Sequence, residues 1–114
     1  MAKYESALSG DFYTALNYIE TGILKGSVSA SKEDESDFQV GNVRCAVRVY
    51  ERYSIIGKNR VSLNITLVGA ENNLFLSAIT SGGSEAIFFK INTFGEESFL
   101  DQLAKIVETY KNGQ

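Results

Sequence analysis

From Val43 to Tyr53 the chain alternates. Val43, Cys45, Val47 and Val49 fall on one side, and Arg44, Ala46, Arg48, Tyr50 and Arg52 on the other. A period of two marks a strand buried on one face. Val61, Leu63, Ile65 and Leu67 repeat it against Ser62, Asn64 and Thr66. Two further strands are predicted at Leu74–Thr80 and Ala86–Ile91. The segments between them, Ile56–Asn59, Gly69–Asn73 and Ser81–Ser84, carry Gly, Asn and Ser and read as turns. Connections this short join antiparallel neighbours and cannot make a parallel crossover. Val43–Ile91 is therefore a predicted meander of four strands, its odd-numbered valines, leucines and isoleucines facing a core. Its Arg/Ser/Asn/Thr side is expected to meet solvent or a partner. The alternation fades at Leu74–Ile79 and at Ile87-Phe88-Phe89, which are apolar on both sides. Strands covered on both faces read this way, so a helix, a terminal strand, a second subunit or an apolar pocket is expected there.

The flanks supply the cover. Lys3–Ser9 is a predicted strand with Tyr4 and Leu8 inward. Asp11 is an N-cap acceptor for a helix over Phe12–Thr21, with Phe12, Ala15, Leu16, Ile19 and then Ile23 in one stripe and Gly22 as its stop. Gly26–Lys32 is a predicted short strand, and Lys32–Asp37 a solvated acidic loop. Glu96, Glu97, Ser98 and Asp101 open a second helix, where negative charge suits the positive end of the dipole. Phe99, Leu100, Leu103, Ile106, Val107 and Tyr110 form its apolar face, and Asn112-Gly113 ends it. The order strand, helix, five strands, helix defines an α+β fold: an antiparallel sheet with two helices packed on one face. Residues 1–114 are read as a single domain, with no repeat or linker.

Composition narrows the chemistry. The chain has no His, so the commonest general base and metal-binding imidazole are missing. One cysteine allows no internal disulfide and, without His, no zinc site from the usual ligands. Cys45 alternates with valines and reads as a small core residue. No Ser-His or Cys-His nucleophile pair can form. A net charge of −3 argues against nucleic acid as the main partner. No apolar run approaches the roughly 20 residues of a membrane span. The chain is read as cytoplasmic and non-enzymatic, with no membrane partner, no cofactor and no metal.

Four stretches are candidate sites. Arg44, Arg48, Tyr50 and Arg52, with Arg60 as an extension, could bind an anion or single-stranded nucleic acid by charge and stacking; the plainer reading is a solvated face with cross-strand acidic partners. Ser81-Gly82-Gly83-Ser84 could nest an anion but reads first as a turn. Glu33, Asp34, Glu35 and Asp37 lack the spacing of a twelve-residue calcium loop. Phe75, Ile79, Phe88, Phe89, Phe94, Phe99, Leu103 and Tyr110 could line an apolar pocket or simply fill a core.

Several runs are familiar together: Met1–Tyr4, Gly10-Asp11-Phe12, Gly41–Val49, Ser77–Ser84 and Phe94–Leu100. They resemble a small family of uncharacterised bacterial proteins, mainly Gram-positive, over nearly the whole chain. The resemblance implies a single-domain cytosolic protein and supplies no activity, cofactor or catalytic residue. The order of elements is also similar to that of helix-grip (START-like) domains, many of which hold apolar ligands between sheet and helix. Two functions are carried forward. The first is binding of a small apolar or amphipathic ligand between the sheet and the final helix. The alternative is a homodimeric interaction module using the second sheet face around Phe75, Ile79 and Phe88, with the Arg face a third possibility.

Overall fold

The computed structural model describes residues 1–27, 29–54, 59–82 and 89–113, leaving aside the side chains of 54, 59 and 89–98. Its elements are β1 (Ala2–Ser9), α1 (Phe12–Lys25), β2 (Ser31–Val40), β3 (Val43–Ser54), β4 (Asn59–Ala70), β5 (Asn73–Gly82) and α2 (Phe89–Asn112). One sheet, ordered β1-β5-β4-β3-β2, contains all five strands, and every neighbouring pair is antiparallel. β1 and β2 are the two edges, and α1 carries the chain from one to the other.

The expected α+β class holds, with a different strand count. The acidic stretch is not a loop. Ser31–Val40 pairs with β3 along its length, with a bulge between Lys32 and Asp34; the predicted strand at Gly26–Lys32 gives way to it. Of the predicted strand Ala86–Ile91, residues 86–88 lie outside the described residues and 89–91 open α2, about two turns before Glu96. The predicted turn at Gly69–Asn73 tightens to Glu71-Asn72, with Glu71 at φ 55°. Residues 55–58 of the predicted turn before β4 lie outside the described residues.

β4 and β5 fix which face is covered. Val61, Leu63, Ile65 and Leu67 of β4 are buried, as are Leu74, Leu76 and Ala78 of β5. They form one core with Phe12, Ala15, Leu16, Ile19 and Ile23 of α1 and Phe99, Leu100, Leu103 and Val107 of α2. Asp11 caps α1, its carboxylate accepting from the Thr14 backbone N–H at 3.0 Å. Gly22 does not stop this helix. A Cβ there would lie 2.8 Å from Ile106 Cδ1, so the missing side chain lets α2 pack against α1, and α1 runs on to Lys25. Gly69 does the same for the sheet: a Cβ would stand 2.7 Å from the Phe12 ring.

β3 is turned the other way from its alternation. Ala46, Arg48 and Tyr50 are buried, whereas Val43 is exposed and Cys45, Val47 and Val49 are only half-buried. The cause is register. Leu67 pairs with Ala46, Ile65 with Arg48 and Leu63 with Tyr50, and directly paired residues share a face. The larger apolar side chains of β4 face the helices, and β3 must follow them. Arg48 and Tyr50 go under the helices, Arg44 on the same side stays exposed, and the valines go to the uncovered side.

Candidate functional site

The predicted anion stripe is therefore not an open row of guanidiniums. Arg48 is only 6% exposed. Its Nη1 donates to Asp37 at 2.8 Å and to the Val47 carbonyl at 3.1 Å, and its Nε faces Glu20 at 3.3 Å. Tyr50 Oη donates to Glu20 at 2.8 Å. Lys32 bridges Glu20 at 2.9 Å and Glu35 at 2.8 Å. Burial alone would raise the Glu20 carboxyl, but the bonds from Lys32 and Tyr50 and the charges of Lys32 and Arg48 outweigh it and hold it below the ordinary value. Burial, then Glu20, pushes the Tyr50 phenol upward. Arg52 lies 4.4 Å over the Phe99 ring and donates to Gln102 at 3.0 Å, its pKa lowered by burial. Arg60 faces Glu51 at 3.5 Å. Arg44 is exposed, 5.2 Å over the Tyr13 ring, and shares a recess of about 300 Å³ with Asp11, Gln39, Asn42 and Glu71. Arg48 and Tyr50 share Glu20, whereas Arg44 and Arg52 each sit in a separate environment.

Among the described residues, no helix lies on the other face of the sheet. Its register can be read row by row. One row crosses all five strands as Phe38, Cys45, Val68, Phe75 and Ala7, every one apolar or a thiol. The next row, toward the Gly41-Asn42 turn, is Val40, Val43, Ala70, Asn73 and Ser9. On the other side the rows turn polar: Ser36, Val47, Thr66, Ser77 and Glu5, then Asp34, Val49, Asn64, Ile79 and Lys3. Val40 is 71% exposed, Phe38 52% and Phe75 44%. Paired side chains on such a face stand about 5 Å apart, so the first row is a continuous apolar band.

The predicted pocket set is divided. Phe75 and Ile79 lie on this open face, whereas Phe99 and Leu103 lie in the core on the opposite side of the sheet. Tyr110 packs partly against that core, its ring 5.1 Å from Tyr18. Phe89 and Phe94 fall within α2 with side chains outside the description, and Phe88 lies outside the described residues. Ser81 and Gly82 end β5, and residues 83–84 of the proposed nest lie outside the described residues. Cys45 is not a core residue. It is half-buried on the open face, where burial and then the charge of Asp37 raise its thiol. The four carboxylates of β2 are spread along a strand, with Glu35 and Asp37 on Arg48 and Asp34 paired across from Val49. Sequence reasoning missed Glu20 as the hub of the charge cluster. No local signal marked it: Glu20 lies on α1, and only the register that turns Arg48 and Tyr50 inward brings them to it.

A family model described as "Family of unknown function (DUF6054)" matches residues 1–111, and the chain belongs to that family. Neither the comparison with curated proteins nor that with solved structures finds a match. Among the described residues, no helix is long and apolar enough to cross a membrane.

Proposed function

We propose that this protein is a non-catalytic interaction module that pairs with a second copy of itself through the open sheet face. The observation that carries the reading is the apolar band Phe38–Cys45–Val68–Phe75–Ala7. Read backwards, that row is its own complement. With a two-fold axis along the strands, Phe38 meets the second copy's Ala7, Cys45 meets its Phe75, and Val68 meets Val68. Large side chains fall on small ones, as interdigitated sheets require. The size fits as well. Five strands about 4.8 Å apart and about 10 residues long span roughly 800 Å², close to what each partner of a standard interface buries. A ligand between sheet and α2 has less behind it, because Phe99, Leu103 and Val107 are already buried there among the β4 and β5 side chains.

Sedimentation velocity tests the proposal. The wild type is expected at twice the 12.5 kDa chain mass, and Val68→Asp at the single mass with an unchanged circular dichroism spectrum. A wild type that stays monomeric at high micromolar concentration overturns the reading. So does a folded Val68→Asp, or a folded Phe75→Glu in the same band, that remains dimeric.

A further inference from the structure

The two edge strands are anchored differently. β1 buries Leu8 and packs Ala2 and Tyr4 against the core. β2 buries nothing: every residue from Lys32 to Val40 is exposed. Apart from its ladder to β3, which a bulge interrupts between Lys32 and Asp34, its attachments on the covered side are charged. Lys32 reaches Glu20 of α1 at 2.9 Å, and Asp37 and Glu35 lie 2.8 Å and 3.5 Å from Arg48 of β3. Tyr50 completes the set by donating to Glu20. The same strand holds Phe38, the outer end of the apolar band, and Val40 of the adjoining row, both exposed.

We infer that β2 is an electrostatic latch on the proposed interface: screening the Glu20–Lys32–Arg48–Asp37 cluster frees the strand and withdraws Phe38 and Val40 from the dimer contact. The effect on dimerisation rests on the homodimer reading; the latch itself does not. Partly exposed ion pairs weaken as the screening length falls from about 30 Å to a few Å with added salt. Apolar contacts do not weaken with salt. The consequence is counter to an ordinary apolar dimer: added NaCl loosens this one.

Hydrogen exchange read by mass spectrometry on the whole chain, at about 0.02 M and about 0.5 M NaCl, separates the strands. Exchange of β2 amides is expected to rise about fivefold with salt, the weakening of a few partly exposed ion pairs, while β1 stays level. Asp37→Asn and Arg48→Met are expected to show the raised β2 exchange already at low salt. Equal responses of β1 and β2, or a β2 indifferent to salt, overturn the latch. Repeating the exchange on monomeric Val68→Asp reads the latch apart from the dimer. Sedimentation of the wild type reads the link: weaker dimerisation at high salt supports it, and a dimer that is unchanged or tighter, or no dimer at either salt, overturns it.

Discussion

Replacing Arg48 distinguishes the alternation of β3 from its observed orientation. If Arg48 faced water, Arg48→Met would change stability by no more than about 0.5 kcal/mol. In the structure the guanidinium is buried, holds Asp37 at 2.8 Å and 3.3 Å, bonds the Val47 carbonyl and sits 3.3 Å from Glu20. Losing a fully buried ion pair costs about 3–5 kcal/mol. Here Glu35 and Asp37 remain largely exposed and recover water, and methionine keeps most of the packing of the stem. The expected cost is therefore about 1.5–3 kcal/mol. With a urea m-value of about 1.5 kcal/mol per molar for a domain of this size, the midpoint falls by about 1–2 M. Arg44→Met is the control, since Arg44 is exposed over Tyr13, and it is expected to stay within about 0.5 kcal/mol of wild type. Combining Arg48→Met with Glu20→Gln should recover about 1 kcal/mol as a coupling term. Equal midpoints for Arg44→Met and Arg48→Met would refute the orientation of β3 and the charge cluster built on it.

Two further predictions bear on the same packing. Gly22→Leu drives a side chain into Ile106, whose Cδ1 lies 2.8 Å from the position of a Cβ. It is expected to cost about 1–3 kcal/mol by thermal or urea unfolding despite leucine's better helix propensity, and a stabilised variant would mean that α1 and α2 do not pack there. Because Glu20 is held below its ordinary value in the fold, its contribution is present above the unfolded carboxylate pKa of about 4.3 and is lost as pH falls through the lower folded value. The wild type should therefore lose more stability than Glu20→Gln on acidification below about pH 4.5, and parallel pH profiles would contradict the assignment.

Much of the architecture was legible because it rests on local signals. The apolar stripe of α1, the Asp11 cap, the alternation of β4 and the apolar face of α2 each need only near neighbours in sequence. What could not be read locally was parity. Val43–Val49 and Ala46–Tyr50 are both plausible inner faces of β3, and the choice is made by pairing with Leu63, Ile65 and Leu67 of β4. The apolar band on the open face was hidden for the same reason. Phe38, Cys45, Val68, Phe75 and Ala7 are scattered through the chain and become one row only when all four pairings are known. The acidic stretch misled because its composition is that of a loop, whereas Arg48 and Lys32 supply the charge that lets it lie as a strand. Gly22 misled because glycine marks helix ends and close helix contacts alike, and only the position of Ile106 separates the two.

The most direct test of the dimer uses the protein's one cysteine as a reporter. Cys45 is half-buried on the open face, in the row of Val68 and Phe75 that the proposed dimer would cover. Its labelling rate with a water-soluble thiol reagent, followed against protein concentration in wild type and Val68→Asp, reports contact at that row. The account predicts that the wild-type rate falls as concentration rises through the range where mass doubles, while the Val68→Asp rate stays constant. A wild-type dimer whose Cys45 reacts as fast as that of the Val68→Asp monomer would contradict it, because the copies would then meet through some other surface.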